Sequence, residues 1–273
     1  MHATAFLPGT MARLPLFRPL FEARYKRRFF AHHALTHHIY RGVFDTFDEA
    51  QASIPPASTS GYDNDESADL YRERTRRVFI NDYPMMYWLG RFFADGARSV
   101  FDVGGHIGIA YYAYQRHVTY PAGLRWTVMD VPAVNAAGER WAREHDPGAR
   151  LRFADEVAQA SGADILFAAG SLQYLRYTLE EALRGMPAKP RYLLLNSVPI
   201  HMRRSYFTVQ NIGVACCPYR VTAERDFLGG LAALGYELMD RWENPQRSCM
   251  VPFHPDLSLD RYFGFAFRKV DPN

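Results

Sequence analysis

The amino-acid sequence predicts an α/β fold: a doubly wound, mostly parallel, seven-stranded sheet with a helical N-terminal extension. Three observations predict it. From Ser99 onward, short apolar runs alternate with stretches of helical periodicity. The segment Ser99-Val-Phe-Asp102-Val-Gly104-Gly105-His106-Ile-Gly108, followed by Trp126-Thr-Val-Met-Asp130-Val-Pro132, reads as strand, glycine turn, helix and second strand. The chain then closes on two further runs, 236–242 and 262–269, that read as an edge pair.

Residues 1–44 mix Leu, Phe and Tyr with Arg and His. Phe17, Leu20, Phe21, Arg24 and Arg28 recur at helical spacing, which predicts an amphipathic basic helix. Ala52 to Asn64 is rich in Ser, Pro, Gly and Asp and reads as a linker. The expected division is an extension and linker over 1–60 and a main domain over 61–273, with a helical lead-in over 61–97. In that lead-in Glu66–Val78 is charged and helical in pattern. Asp82-Tyr83-Pro84 opens a second helix, with Asp82 near the N-cap and Pro84 in the first turn. Met85, Trp88, Leu89, Phe92 and Phe93 form its apolar face, and Asp95-Gly96 ends it.

Strand and helix then alternate. Strand 99–103 leads to a helix from Gly108 to about His117, and strand 125–130 to a helix that Pro132 starts and His145 ends. Leu151-Arg-Phe153 is a short strand running to Asp155. Strand 164–169 precedes Gly170-Ser-Leu-Gln173-Tyr174, and Thr178-Leu-Glu-Glu181 has the spacing of a capping box. Strand 191–196 reads as buried on both faces. Thr222 is the expected cap of a helix ending at Gly235, and a long loop with Pro245, Pro252 and Pro255 joins the last two strands.

At 273 residues and 48% hydrophobic content, the chain is long enough for one sizeable core. Its net charge of +3 is unevenly spread: residues 1–44 carry seven Arg or Lys against Glu22 alone, a balance of +6, so the other 229 residues sum to −3. That excludes a basic nucleic-acid-binding body and leaves only the arm for peripheral contact with an anionic membrane. Cys216, Cys217 and Cys249 give neither a disulfide framework nor zinc spacing, which suits a reducing cytoplasm. No apolar run approaches a membrane span, and the first thirty residues lack the core of a secretory signal. His32, His33, His37 and His38 have i,i+4 spacing but no carboxylate or thiol partners, so no metal is expected.

The glycine turn carries the chemistry. Dinucleotide folds place G-x-G-x-x-G here to cradle a pyrophosphate, and Gly104-Gly105-His106-Ile107-Gly108 departs from that spacing. Asp102, two residues ahead, repels phosphate and suits a cation, such as the sulfonium and ammonium groups of S-adenosylmethionine. Asp130, at the next strand tip, suits a ribose diol. In an open α/β sheet the ligand lies beyond the carboxyl ends of the strands, so Asp102, Asp130, Asp155, Gln173 and His201 are expected to converge there.

These residues resemble the class I S-adenosylmethionine-dependent methyltransferases. Asp102-x-Gly104-x-x-x-Gly108 is similar to their acidic glycine motif, Met129-Asp130-Val131-Pro132-x-Val134 to the DLPxV segment of small-molecule O-methyltransferases, and Ala154-Asp155 to the GD that follows the third strand. The resemblance is closer to a family of bacterial methyltransferases often found with surface-polysaccharide genes, from about Gly42 to Arg268. It is carried by Gly61-Tyr-Asp63, Asp82-Tyr-Pro84, Phe101–His106, Gly170–Tyr174, Leu195-Asn196 with Pro199, Thr208–Asn211, Cys217–Arg220, Leu234–Tyr236, Trp242–Pro245 and Pro252–Pro255. Two positions depart from it: His106 replaces the usual middle glycine, and Asn196-Ser-Val-Pro199 replaces Asn-Arg-Thr-Pro, which implies altered specificity or lost activity.

The resemblance implies a Rossmann-like methyltransferase fold with S-adenosylmethionine as cofactor. It implies that Asp130 binds the ribose hydroxyls, Asp155 the adenine amino group, and Gly104, Gly105 and Gly108 the methionine tail. Asp102 accepts from the glycine turn or the amino group, and His106, Val131 and Gly170 complete the cofactor set. His201 after the fifth strand and His254 in the late loop are the candidate bases. Gln173, Asn211 and Arg220 are the candidate substrate contacts. Gly170-Ser-Leu-Gln173 lacks the Asn/Asp-Pro-Pro-Tyr/Phe of amino-group methyltransferases. The expectation is methyl transfer to an oxygen of a small polar acceptor, a sugar or biosynthetic intermediate; the alternative is a cofactor-binding relative without turnover. A nicotinamide-dependent oxidoreductase is disfavoured by the glycine spacing.

Overall fold

Two sheets organise the computed structural model, which describes residues 18–31, 38–56, 72–213 and 215–270. The elements in chain order are α1 (Arg18–Phe29), β1 (Ile39–Phe44), α2 (Phe47–Ala52), α3 (Tyr83–Ala94), β2 (Ser99–Val103), α4 (Ile109–Tyr114), β3 (Arg125–Met129), α5 (Pro132–His145) and β4 (Leu151–Ala154). There follow β5 (Ile165–Ala169), α6 (Leu179–Arg184), β6 (Tyr192–Val198), β7 (Ile200–His201), β8 (Tyr206–Asn211), β9 (Cys216–Ala223), α7 (Glu224–Ala233), β10 (Tyr236–Asn244) and β11 (Tyr262–Lys269).

The central sheet has seven strands in the order β10-β11-β6-β5-β2-β3-β4. β6, β5, β2, β3 and β4 are mutually parallel, and β11 runs antiparallel to both β6 and β10. The expected doubly wound sheet with its edge pair is therefore the observed architecture. Strand order reverses at β2: the chain steps outward through β3 and β4, then returns to lay β5 on the other side. Such a switch point opens a crevice at the carboxyl ends of β2 and β5.

Alternation along the strands divides the core between two faces. Val100, Trp126, Val128, Phe167, Tyr192 and Leu194 pack against Met85, Leu89 and Phe92 of α3 and Tyr111 of α4. Phe101, Leu166, Leu193, Leu195 and Phe265 pack against Leu183 of α6 and Leu231 of α7. β6 is buried along all seven residues, as expected of a strand covered on both faces. Each fully buried leucine there contributes about 2 kcal/mol.

Local signals set several boundaries. Pro132 starts α5, and Thr178 caps α6 through a reciprocal box in which its Oγ1 accepts from Glu181 N at 3.1 Å and Glu181 Oε2 accepts from Thr178 N at 2.7 Å. α3 follows Asp82, whose carboxylate accepts from Phe79 N at 2.8 Å rather than capping the helix. Trp88 of its expected apolar face is partly buried and donates Nε1 to Asp240 Oδ2 at 2.8 Å.

Other expectations are corrected. The helix expected over 108–117 covers only Ile109–Tyr114. In place of a helix over 66–78, the described part is a 3-10 turn at Arg72–Arg76 with extended chain after it. Thr222 is not a cap: it lies inside β9, and α7 starts at Glu224 after Ala223. Gly61–Asp63, His32, His33 and His37 lie outside the described residues.

The second sheet, in the order β1-β8-β9-β7, was not anticipated. β8 pairs antiparallel with both β1 and β9, and β7 joins β9 in parallel through two residue pairs. Pro218 is tolerated inside β9 because the strand's other flank carries no ladder there: β7 reaches only Thr222 and Ala223. Tyr40, Tyr206, Tyr219, Val221 and Tyr262 form its core. Residues 39–52 are thereby built into the body, in place of the extension and linker expected over 1–60.

α1 is the expected basic helix. It is anchored by buried Phe29 and by Tyr25 Oη, which donates to the Tyr40 carbonyl at 2.8 Å. Arg24, Lys26 and Arg27 face outward. No helix among the described residues is long and apolar enough to cross a membrane.

Candidate functional site

The carboxyl edge of β2 and β3 holds the glycine loop and two of the expected acids. Asp102 alternates with Val100 toward Trp126, whose Nε1 donates to Asp102 Oδ2 at 3.1 Å; the acid is only 1% exposed. Burial raises its carboxyl from 3.8 to about 8, the indole bond opposes this, and the nearby Asp130 charge adds to it.

The loop reverses direction through three left-handed residues, Gly104 (φ +71°), His106 (+57°) and Gly108 (+89°). Gly104 N donates to the Met129 carbonyl at 2.7 Å. A Cβ at Gly104 would overlap the Ser171 side chain, and one at Gly105 would overlap the Asp102 carboxylate. Both glycines are thus demanded by close approach inside the protein. His106 takes a conformation normally left to glycine, which costs about 1–2 kcal/mol; it is buried at 4% exposure.

Asp130 follows β3 and faces this loop. Its Oδ2 accepts from His106 N at 2.9 Å and its Oδ1 from Val131 N at 2.8 Å. Asn135, in the first turn of α5, was missed from sequence and joins the strand ends. Its Oδ1 accepts from Asp130 N at 3.0 Å, and its Nδ2 donates to the Ala154 carbonyl at 2.8 Å and lies 3.5 Å from Asp155 Oδ1. Asp155 itself is exposed. The signal for Asn135 was a lone polar residue beside Val134 and Ala137 on the buried face of α5.

Gly170 (φ +84°) ends β5 and donates N–H to the Asn196 carbonyl at 2.9 Å. Ser171 Oγ donates to the Val103 carbonyl, tying the loop after β5 onto β2. Asn196 Nδ2 donates to the Asn81 carbonyl at 2.8 Å and its Oδ1 accepts from Trp242 Nε1 at 3.1 Å, which pins the turn before α3 over the end of β6. That turn brings in Asp82, also missed from sequence, whose carboxyl is raised by burial while bonds from Phe79 N–H and Tyr114 oppose the rise.

The remaining expected residues are placed elsewhere. His201 lies in β7, with Nδ1 accepting from Arg203 N and Arg204 N at 3.2 and 3.0 Å and Nε2 donating to the Asp256 carbonyl at 3.1 Å. Both ring nitrogens are committed, so His201 braces two loops and has no lone pair for proton transfer. His254 sits where α1 meets the late loop; burial lowers its basicity and Arg18 adds to the effect, so its ring is neutral at pH 7. Asn211 is buried in the second sheet, with Nδ2 donating to the Phe29 carbonyl at 2.7 Å and Oδ1 accepting from Gly213 N at 2.7 Å. Gln173 and Arg220 do meet, at a separate cavity that none of Asp102, Gly104, Asp130 or Asp155 lines.

Comparison with solved structures shows the fold of S-adenosylmethionine-dependent methyltransferases. A Galdieria sulphuraria protein to which a sarcosine dimethylglycine methyltransferase activity is ascribed superposes with a TM-score of 0.50 at 10% identity, over 78% of this chain and 100% of that one. Mitomycin 7-O-methyltransferase is similar with a TM-score of 0.41 at 16% identity, over 68% of this chain and 54% of that one. The N-terminal domain of EvdMO1, with S-adenosylhomocysteine bound, is similar with a TM-score of 0.47 at 12% identity, over 71% of this chain and 83% of that one. The chain thus spans about half the length of mitomycin 7-O-methyltransferase. No family model and no curated protein matches it.

Proposed function

We propose that the protein is an S-adenosylmethionine-dependent methyltransferase acting on an oxygen of a small polar acceptor, a sugar or a biosynthetic intermediate. One observation carries the reading: carboxylates at neighbouring strand ends, Asp130 and Asp155, are joined through Asn135 beside a glycine loop that follows a buried acid. The donor set fits an adenosyl cation. Asp130, which accepts from the backbone N–H groups of His106 and Val131 at the strand end, suits a ribose diol, and exposed Asp155 suits an adenine amino group. Gly104, Gly105, His106, Gly108, Val131 and Gly170 frame the same edge, and a cationic tail placed near them would draw the buried Asp102 carboxyl beneath the loop toward ionisation.

When bound, the cofactor supplies an activated methyl carbon. The chain's task is to hold the acceptor oxygen in line with it, which is worth about 7–11 kcal/mol, and to take the hydroxyl proton, worth about 10²–10⁴-fold. With both nitrogens of His201 committed, Asp82 supplies the proton acceptor in this reading. Buried free Cys216, Cys217 and Cys249 suit a reducing cytoplasm.

Isothermal titration with S-adenosylmethionine is the test. Heat is expected from the wild type, with binding about 10–100-fold weaker in Asp130→Ala for the loss of charged hydrogen bonds. No heat from the wild type ends the reading. Asp82→Asn should keep cofactor binding and abolish cofactor consumption with an acceptor pool. The alternative of cofactor binding without turnover draws on the placement of His201 and His254 away from the loop. Cofactor that co-purifies and is not consumed with any acceptor pool would favour it.

A further inference from the structure

α1 spends its apolar face on the body and turns a cationic face to solvent. Phe29 is buried, the Tyr25 ring packs edge-on to Phe253 of the late loop at 6.1 Å, and Tyr25 Oη donates to the Tyr40 carbonyl at 2.8 Å. Phe21, Tyr25 and Phe29 recur at i, i+4 and i+8 and share that inner face. Leu20, Ala23, Arg24 and Arg27 share the opposite one, with Lys26 and Arg28 at its flanks, and all six are exposed. Leu20, at 69%, is the most exposed large apolar side chain among the described residues. Glu22 is the one acid of the helix, and it pairs with Arg18 at 2.7 Å. Arg24, Lys26 and Arg27 have no acid within ion-pair distance among the described residues. Solvated helix faces ordinarily balance cations with acids one turn away. The helix dipole accounts for cations in the last turn, Lys26 to Arg28, but for neither Arg24 nor an exposed leucine beside it.

We propose that this face of α1 docks the protein on an anionic phospholipid surface, with Arg24, Lys26 and Arg27 against headgroup phosphates and Leu20 entering the boundary between headgroups and acyl chains. Leu20 to Arg27 spans about 10 Å along the helix axis, roughly one Debye length at ~0.1 M salt, so the cations attract a charged plane together. Beyond residue 44 the chain sums to −3, so such a plane attracts this end of the molecule and not the body as a whole. The same residues favour lipid over nucleic acid. Base stacking needs exposed aromatic rings, and those of α1 face the body, while a phosphate backbone offers nothing to Leu20. Because the apolar stripe of the helix is already used, attachment is peripheral, reversible and salt-dependent. Docking of this kind is independent of methyl transfer, and its test contains no cofactor.

Flotation of the full chain with vesicles of phosphatidylglycerol and phosphatidylcholine in equal parts, against vesicles of phosphatidylcholine alone, reads docking directly. Binding is expected to the first and not to the second, with release as salt is raised from ~0.1 to ~0.5 M. At about fivefold per basic side chain, the combined Arg24→Gln, Lys26→Gln and Arg27→Gln change should weaken binding about 100-fold. An environment-sensitive fluorophore attached through Leu20→Cys should shift to the blue on vesicle addition; the native Cys216, Cys217 and Cys249 are buried and remain unlabelled in the folded protein. All four altered positions are exposed, and circular dichroism checks that the variants are folded. The proposal is overturned if the wild type ignores the anionic vesicles or binds both kinds equally, or if the triple variant binds as the wild type does. It is equally overturned if the probe at position 20 is unmoved in vesicle-bound protein, or if a single-stranded oligonucleotide displaces the protein from the vesicles.

Discussion

Asp102→Asn isolates the buried acid beneath the glycine loop. Its carboxyl is raised from 3.8 to about 8 by desolvation, with Trp126 donating against the rise and Asp130 reinforcing it. Between those two pH values the folded protein retains a proton that the unfolded chain has released. Stability therefore falls as pH rises through the window, by about 1.4 kcal/mol per pH unit for this group. Across the window the loss is on the order of 5 kcal/mol, a large part of a typical domain's 5–15 kcal/mol. Below the window both states are protonated and the group contributes no pH dependence. Asparagine preserves the shape and the acceptor for the Trp126 indole while removing the titration. Urea unfolding followed by circular dichroism, from pH ~4 to ~9, should give a wild-type stability that drops relative to the variant and levels off near the upper end. Parallel curves for the two proteins would refute the buried-acid argument. Saturating S-adenosylmethionine, by placing a cation near Asp102, should flatten the wild-type slope.

Asn135→Ala removes the bonds to Asp130 N and the Ala154 carbonyl and should cost about 1–3 kcal/mol in urea midpoint analysis, together with weakened cofactor binding; unchanged stability would deny it a bracing role. Gly264→Ala places a methyl against the Trp242 indole and should lower stability by about 1–3 kcal/mol, read by calorimetry as a fall in Tm. Thr178→Ala should cost about 1 kcal/mol by loss of the capping box of α6. For membrane contact, the combined Arg24→Glu, Lys26→Glu and Arg27→Glu change is cleaner than deleting residues 1–44, since β1 and Phe29 are structural. It should abolish co-sedimentation with anionic vesicles, where each basic side chain contributes about 1 kcal/mol. Sedimentation unaffected by the change, or none from the wild type, removes the arm as a docking element.

The central sheet was legible in the sequence because its determinants are local. Apolar period, Pro132, the Thr178–Glu181 box and the glycine run each act within one turn or strand, and a parallel sheet forces the ends of successive strands to one edge. Asp102, Asp130 and Gly104 accordingly lie where their spacing placed them. The second sheet was not legible as a whole, because only its β8–β9 hairpin is local and its other pairings bring together residues far apart in the chain: Tyr40 meets Gln210, and Ile200 meets Thr222. That arrangement decided the fate of the polar candidates. His201 and Asn211 look like site residues in the linear chain, yet backbone groups that only the tertiary structure brings to them occupy their hydrogen-bonding capacity. Asn135, Asp82 and the meeting of Gln173 with Arg220 have the same origin. Sequence alone determined the strands of the central sheet and the acids at its edge, since these follow from periodicity and turn chemistry. Tertiary structure decided which polar atoms remain available for a ligand, since hydrogen-bond satisfaction depends on every neighbour in space rather than along the chain.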